Sequence, residues 1–340
     1  MVVCDCGRTK SQCIEHPRSR SLRAMSVVML ALQLSLALLV LSIGLETRPG
    51  DALFLFRHPA LFARSVVAIN LIMPVLVLWV ALVFALKPPV ELALLAMAMS
   101  PMPPFLPLST AKAGGEGAYT VALLAAESVL ALGLIPLATW LLGLILQSEL
   151  QVPVGVVASI VGMTILLPLA LGIAVRWRRP NLADRLAKPV NIATIVLLIV
   201  GSVPLLIVTF MPMISLIGNG TILAIVAIAI IGLGVGHALG GPDPKDQPVL
   251  ALATASRHPA VAIAIASSMF PEAKLAPAAV VLTLLVTAIA TIPYQKWAKK
   301  SQVPPARLPL ILPTAERRSV PRSSPSPGPA KMHAQPPAEH

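Results

Sequence analysis

The sequence predicts an all-α integral membrane protein with about nine transmembrane helices, two of them broken along their length. Three observations carry this. Of the 340 residues, 56% are hydrophobic and 12% charged, about half the ~25% charge typical of a soluble domain. The mean hydropathy is +0.85, and the apolar residues gather into runs of the ~20 residues that a bilayer core requires. Two of those runs contain segments that a continuous helix avoids: Ser100-Pro101-Met102-Pro103-Pro104-Phe105-Leu106-Pro107 and Ser256-Arg257-His258-Pro259-Ala260.

Taken in order, residues 1–25 form a polar, basic tail with Arg8, Lys10, Arg18, Arg20 and Arg23. Cys4, Cys6, Cys13 and His16 lie here. Such residues can bind zinc, but their spacing fits no common zinc module, so no metal is expected. The run 26–45 is longer than a signal peptide's h-region and lacks a small-x-small exit before Glu46-Thr47-Arg48. It reads as a spanning helix. The further spans are 61–86, 89–111, 117–147, 152–175, 187–211, 217–240, 247–270 and 274–297. Tight connections make 26–298 one transmembrane domain with no room for a soluble one. The tail 299–340 is basic and holds ten prolines within 301–340. It cannot bury a core and should be disordered, although a Pro-rich segment can serve as a ligand.

The net charge of +12 would suggest nucleic acid in a soluble protein. Here the basic residues alternate with spans and form no groove-reading module, so no nucleic-acid partner is expected. They mark the cytoplasmic side instead. One set of loops holds Arg48, Arg57, Lys112, the Arg176–Lys188 stretch, Lys245 and the C-terminal tail, against Lys87 and Lys274 in the other. The expected location is the cell membrane, as a multi-pass protein with a cytoplasmic C-terminus. With nine spans the N-terminus lies outside, which its own basic tail opposes.

The breaks draw the eye to function. Proline removes a backbone donor and clashes with the preceding turn. Four prolines, at 101, 103, 104 and 107, demand an unwound or re-entrant segment, followed by a short helical piece opened by Ser109 and Thr110. Interruptions in two halves of a hydrophobic chain point to a transporter site, because unwound backbone at membrane depth survives only in protein or against a cavity.

Arg257 lies about ten residues into its span, roughly 15 Å deep at 1.5 Å per residue. A buried arginine persists only with a partner or a wet cavity. It therefore lines a binding site or makes a structural ion pair. Glu127, at similar depth, is the candidate partner, or a proton carrier in its own right. His258 and His237 could join a relay, since histidine titrates near neutral pH; for His237, at a span's inner end, packing is the expected role. Asn70, in Ile69-Asn70-Leu71-Ile72-Met73-Pro74, can bond an unwound segment or a neighbouring helix.

Gly44-Leu45-Glu46, Phe56-Arg57-His58-Pro59 and Ile72-Met73-Pro74 resemble the opening of the bile acid:sodium symporter superfamily. The run from Ser100-Pro101 to Lys112-Ala113-Gly114-Gly115-Glu116-Gly117-Ala118 resembles that family's first crossover helix and its exit. Ala253–Ala262 falls where its second crossover belongs, and Arg176–Lys188 resembles the basic linker between halves. The resemblance covers roughly residues 26–298. It implies two inverted repeats, a panel and a core domain, with substrate and sodium beside two broken crossover helices. It matches family members that lack the first helix of a ten-helix plan.

Where the family carries sodium ligands, this chain reads Leu106-Pro107 in the first crossover, Ala253, Arg257 and His258 in the second, and Leu124 with only Thr120 matching in the helix between. Sodium wants several oxygen ligands, as other hard cations do, and Leu, Pro and Ala side chains supply none. A sister family of arsenite exporters carries a membrane thiol, which this chain lacks beyond Cys13. The expectation is a secondary transporter of a small organic anion, embedded in lipid and not driven by sodium at the family sites. Arg257, His258, Ser109, Thr110, Thr120 and Asn70 would bind substrate, and Glu127 would couple or pair. No catalytic set or cofactor motif is present, so neither an enzyme nor a cofactor is expected. The rival is a non-transporting sensor or structural protein on the same fold, with Arg257 and Glu127 locked together. Solvent access to Arg257 separates the two.

Overall fold

A computed structural model of the chain describes residues 17–48, 50–146, 153–270 and 272–302. The tail cysteines, His16 and the Pro-rich segment after Gln302 lie outside them. Among the described residues the regular structure is entirely helical. The elements are α1 (Pro17–Glu46), α2 (Phe54–Arg57), α3 (Pro59–Val83), α4 (Pro88–Met99), α5 (Leu106–Lys112), α6 (Gly117–Leu146), α7 (Val154–Arg178), α8 (Pro180–Leu216), α9 (Thr221–Leu239), α10 (Asp246–Ala255), α11 (Pro259–Met269) and α12 (Ala276–Gln302).

Seven segments have the length and apolarity to cross a membrane, the pair α10 and α11 counting as one. An eighth counts if Leu30–Glu46 and the sharply bent Asp51–Arg57 are one span. The remaining expected span, 89–111, is divided into α4 and α5. The helix over the first run starts at Pro17, inside the expected tail. Proline suits a first helical turn, where no backbone donor is needed. The piece after the first break likewise starts at Leu106, a turn before Ser109, with Pro107 in its first turn.

Helices α1, α7 and α8 pack on one another. Glycines allow the close approach: a Cβ on Gly44 would stand 2.9 Å from Gly172 Cα, and one on Gly172 would stand 2.6 Å from the Leu41 carbonyl. Small residues serve this purpose where lipid offers helices no hydrophobic incentive to associate. Two buried apolar clusters form the interior, with contributions from these helices and the others. One gathers Met73, Leu94, Met97, Ile225, Val261 and Val280. The other gathers Ile69, Met102, Leu106, Leu124, Val249 and Ala253 around the first break.

Helices α3 and α7 each contain a π-turn, Ala68–Ile72 and Gly162–Leu166. Proline explains both. In α3 the Met73 N–H reaches back to the Ala68 carbonyl. In that register the Ile69 carbonyl would need the N–H of residue 74, and Pro74 has none. The same logic applies to Met163 and Pro168 in α7. Such π-turns often mark functional positions, and in α3 the freed carbonyl is used.

Candidate functional site

The two breaks meet. Between α4 and α5 the chain is non-helical over Ser100–Phe105. Between α10 and α11 it is extended at Ser256, and the His258 N–H donates to the Pro101 carbonyl at 2.8 Å. His258 then caps α11. Its Nδ1 accepts from the Val261 N–H at 3.4 Å, and Pro259 occupies the first turn. An accepting Nδ1 puts the ring hydrogen on Nε2, and that buried atom has no partner among the described residues.

Arg257 is 5% exposed. Its Nη2 donates to the freed Ile69 carbonyl at 2.8 Å. Its Nη1 is buried and unpartnered among the described residues. Glu127 is 1% exposed and both its oxygens accept from Asn70 Nδ2, at 2.9 and 3.1 Å. Arg257 and Glu127 are expected from the sequence to touch directly or to meet through polar neighbours; the direct contact does not form among the described residues, where the ion pair is Arg176–Asp184, and both bond to the adjacent residues Ile69 and Asn70 instead. The π-turn is the reason. It delivers the Ile69–Asn70 peptide between them, so the backbone carbonyl takes the arginine and the asparagine amide takes the carboxylate.

A cavity of about 240 Å³ lies beside Arg257, lined also by Ser109, Lys112, Ser256, Thr287, Thr291 and Gln295. A smaller one of about 30 Å³, room for a water or two, also touches Arg257, with Thr254, Thr283 and Thr287. Neither lining contains a carboxylate. The sequence identified Arg257 and Ser109. It missed the last helix, where Thr283, Thr287, Thr291 and Gln295 recur every fourth residue of α12. That spacing puts them on one helical face, and it was the available signal. The Ile69 carbonyl was missed because a backbone group has no letter of its own.

The other expected residues stand apart from these two cavities. Thr110 is buried and accepts from the Thr120 hydroxyl at 3.3 Å, tying α5 to α6. Asn70 and His258 hold Glu127 and the α11 cap. His237 packs with aromatic residues: its Nδ1 lies 2.8 Å from the Tyr294 hydroxyl, beside Trp297. The positions of the family's sodium ligands do not fit a cation here. Leu106, Leu124 and Ala253 are fully buried in one apolar cluster.

No curated protein matches this chain. At family level it matches the Sodium Bile acid symporter family over residues 33–234, a segment that includes α3, its π-turn, the first break and Glu127. Two broken helices that meet are the architecture expected of that resemblance, the buried arginine being this chain's departure from it, and the chain belongs to the sodium bile acid symporter family.

Proposed function

We propose that the protein is a secondary transporter of a small organic anion that is not driven by sodium at the family sites. The cavity carries this reading. It joins a buried guanidinium with an unpartnered Nη1 to a row of hydroxyls and an amide, with no carboxylate in its lining. A guanidinium supplies a planar donor fork suited to a carboxylate or similar anion. The polar face of α12 extends from Thr283 to Gln295 past Arg257, a path of roughly 18 Å at 1.5 Å per residue. The N-terminal end of α11, close to Arg257, adds a positive pole. Contact between Arg257 and a cavity supports transport over a sealed structural lock.

The C-terminal end of α12 faces the cytoplasm in this reading. Trp177 and Trp297 are exposed beside Arg176, Arg178 and Arg179, and beside Lys296, Lys299 and Lys300. Trp79 and Trp140 are exposed near the C-terminal ends of α3 and α6, which in this reading point to the other side. Two aromatic levels of this kind mark two membrane interfaces. With Cys4, Cys6 and Cys13 replaced by serine, a Lys112→Cys variant should then react with an impermeant thiol reagent only from the cytoplasmic side. Reaction from outside would reverse the orientation.

The functional test is counterflow in proteoliposomes with radiolabelled pyruvate, succinate and benzenesulfonate. At least one should exchange, and Arg257→Gln should remove that exchange. Absence of exchange for every anion, or an Arg257→Gln variant equal to the unmodified protein, would overturn the reading.

A further inference from the structure

We infer that anion movement is coupled to a proton carried by Glu127. This rests on the anion reading above and adds the driving ion. Glu127 is the buried carboxylate among the described residues. Its hydrogen-bond donor is the neutral amide of Asn70. The cation near it, Arg257, gives Nη2 to the Ile69 carbonyl and leaves Nη1 without a partner among the described residues.

The consequence follows from counting charges. Without substrate, one buried cation faces one buried carboxylate across the Ile69–Asn70 peptide. When an anion occupies Nη1, two negative groups share the one buried positive group; Lys112, the other cation in the cavity lining, is exposed, so solvent screens its charge. A proton added to one Glu127 oxygen restores the balance, and the resulting O–H can turn to a neighbouring acceptor. Anion binding and proton binding therefore favour each other, and linkage makes the preference mutual. On release to the other side the anion and the proton leave together, a symport of one proton with each anion.

The remaining titratable groups do not compete for this role. Tyr119, on the same helix, shares a 2.7 Å hydrogen bond with Ser65. His258 faces the site from the second break, with Nδ1 committed to the Val261 N–H. The segments packed on α6 bring Asp51, Arg57, Arg64, Glu91, Lys112 and Asp246, none of them buried. The sodium positions hold Leu106, Leu124 and Ala253, so a coupling ion needs another seat.

The experiment uses the full chain in sodium-free proteoliposomes, with pyruvate and benzenesulfonate as probes because both stay ionised across the working pH range. Counterflow reports anion exchange alone, and accumulation under an inward proton gradient reports coupling. The unmodified protein should accumulate the anion that it exchanges. In Glu127→Gln the ratio of accumulation to counterflow should fall by about tenfold, within the usual range of coupling. An unchanged ratio would overturn the inference while leaving the anion reading intact. Missing counterflow in the unmodified protein would instead overturn the anion reading. If Glu127→Gln does not assemble, Asn70→Ala decides. Loss of the carboxylate's donor must shift the pH of half-maximal accumulation, and an unshifted profile would refute the assignment.

Discussion

Arg257 has two amino groups with different fates. One is fixed to the Ile69 carbonyl and the other is buried without a partner among the described residues, free for a ligand in the proposed reading. A lysine at this position brings one nitrogen on a flexible stem and cannot serve both ends with fixed geometry. Arg257→Lys should therefore keep the charge and still lower anion exchange, by roughly ten- to a hundredfold if one charge-assisted hydrogen bond of about 1.5–3 kcal/mol is lost. Counterflow measures it, and an undiminished rate would show that charge alone matters. Much of this residue-level picture was legible in the sequence. A charge or an amide deep in an apolar run is conspicuous, and Arg257, Glu127 and Asn70 came forward that way, while Ser109 came forward from the proline break before it. Their pairing was not legible. Equal depth suggested an ion pair, whereas the actual contacts depend on which way a π-turn presents one peptide.

At the scale of elements, Pro74 prepares the carbonyl that Arg257 uses. Restoring an N–H at that position lets α3 resume regular bonding and compete for the Ile69 carbonyl. Pro74→Ala should leave the helix in place, or strengthen it, yet lower anion exchange severalfold. Equal exchange would detach the π-turn from function. A second test concerns the α1–α7 crossing, where a Cβ on Gly172 would meet backbone of α1. Gly172→Val should cost about 1–3 kcal/mol through overpacking, read as a lower melting temperature in detergent. Element existence was readable from run length and from proline clusters. The starts of α1 and α5 were displaced, because a proline reads as a breaker in sequence yet is harmless in a first turn. The α12 face was readable in principle, but polar hydroxyls in a long apolar helix look ordinary until their four-residue spacing is noticed.

Over the whole molecule, the fold of a sodium symporter family is retained while the sodium positions are filled. Leu106, Leu124 and Ala253 come from α5, α6 and α10 and close into one apolar cluster with Met102 and Ile69. Placing a cation there would require opening packed side chains and would offer it few oxygens. The fixed charge of Arg257 lies beside that cluster, held by the Ile69 carbonyl, and a second cation nearby would be repelled. Replacing external sodium by potassium or choline at constant pH should therefore leave anion uptake in proteoliposomes unchanged within error. The melting temperature of the purified protein should also be the same in sodium and in choline, since a ligand stabilises only the state that binds it. A steep dependence of uptake on sodium, or a sodium-specific rise in melting temperature, would mean that the chain seats the ion elsewhere. Arg257 would then act on the anion alone, without standing in for the family's cation.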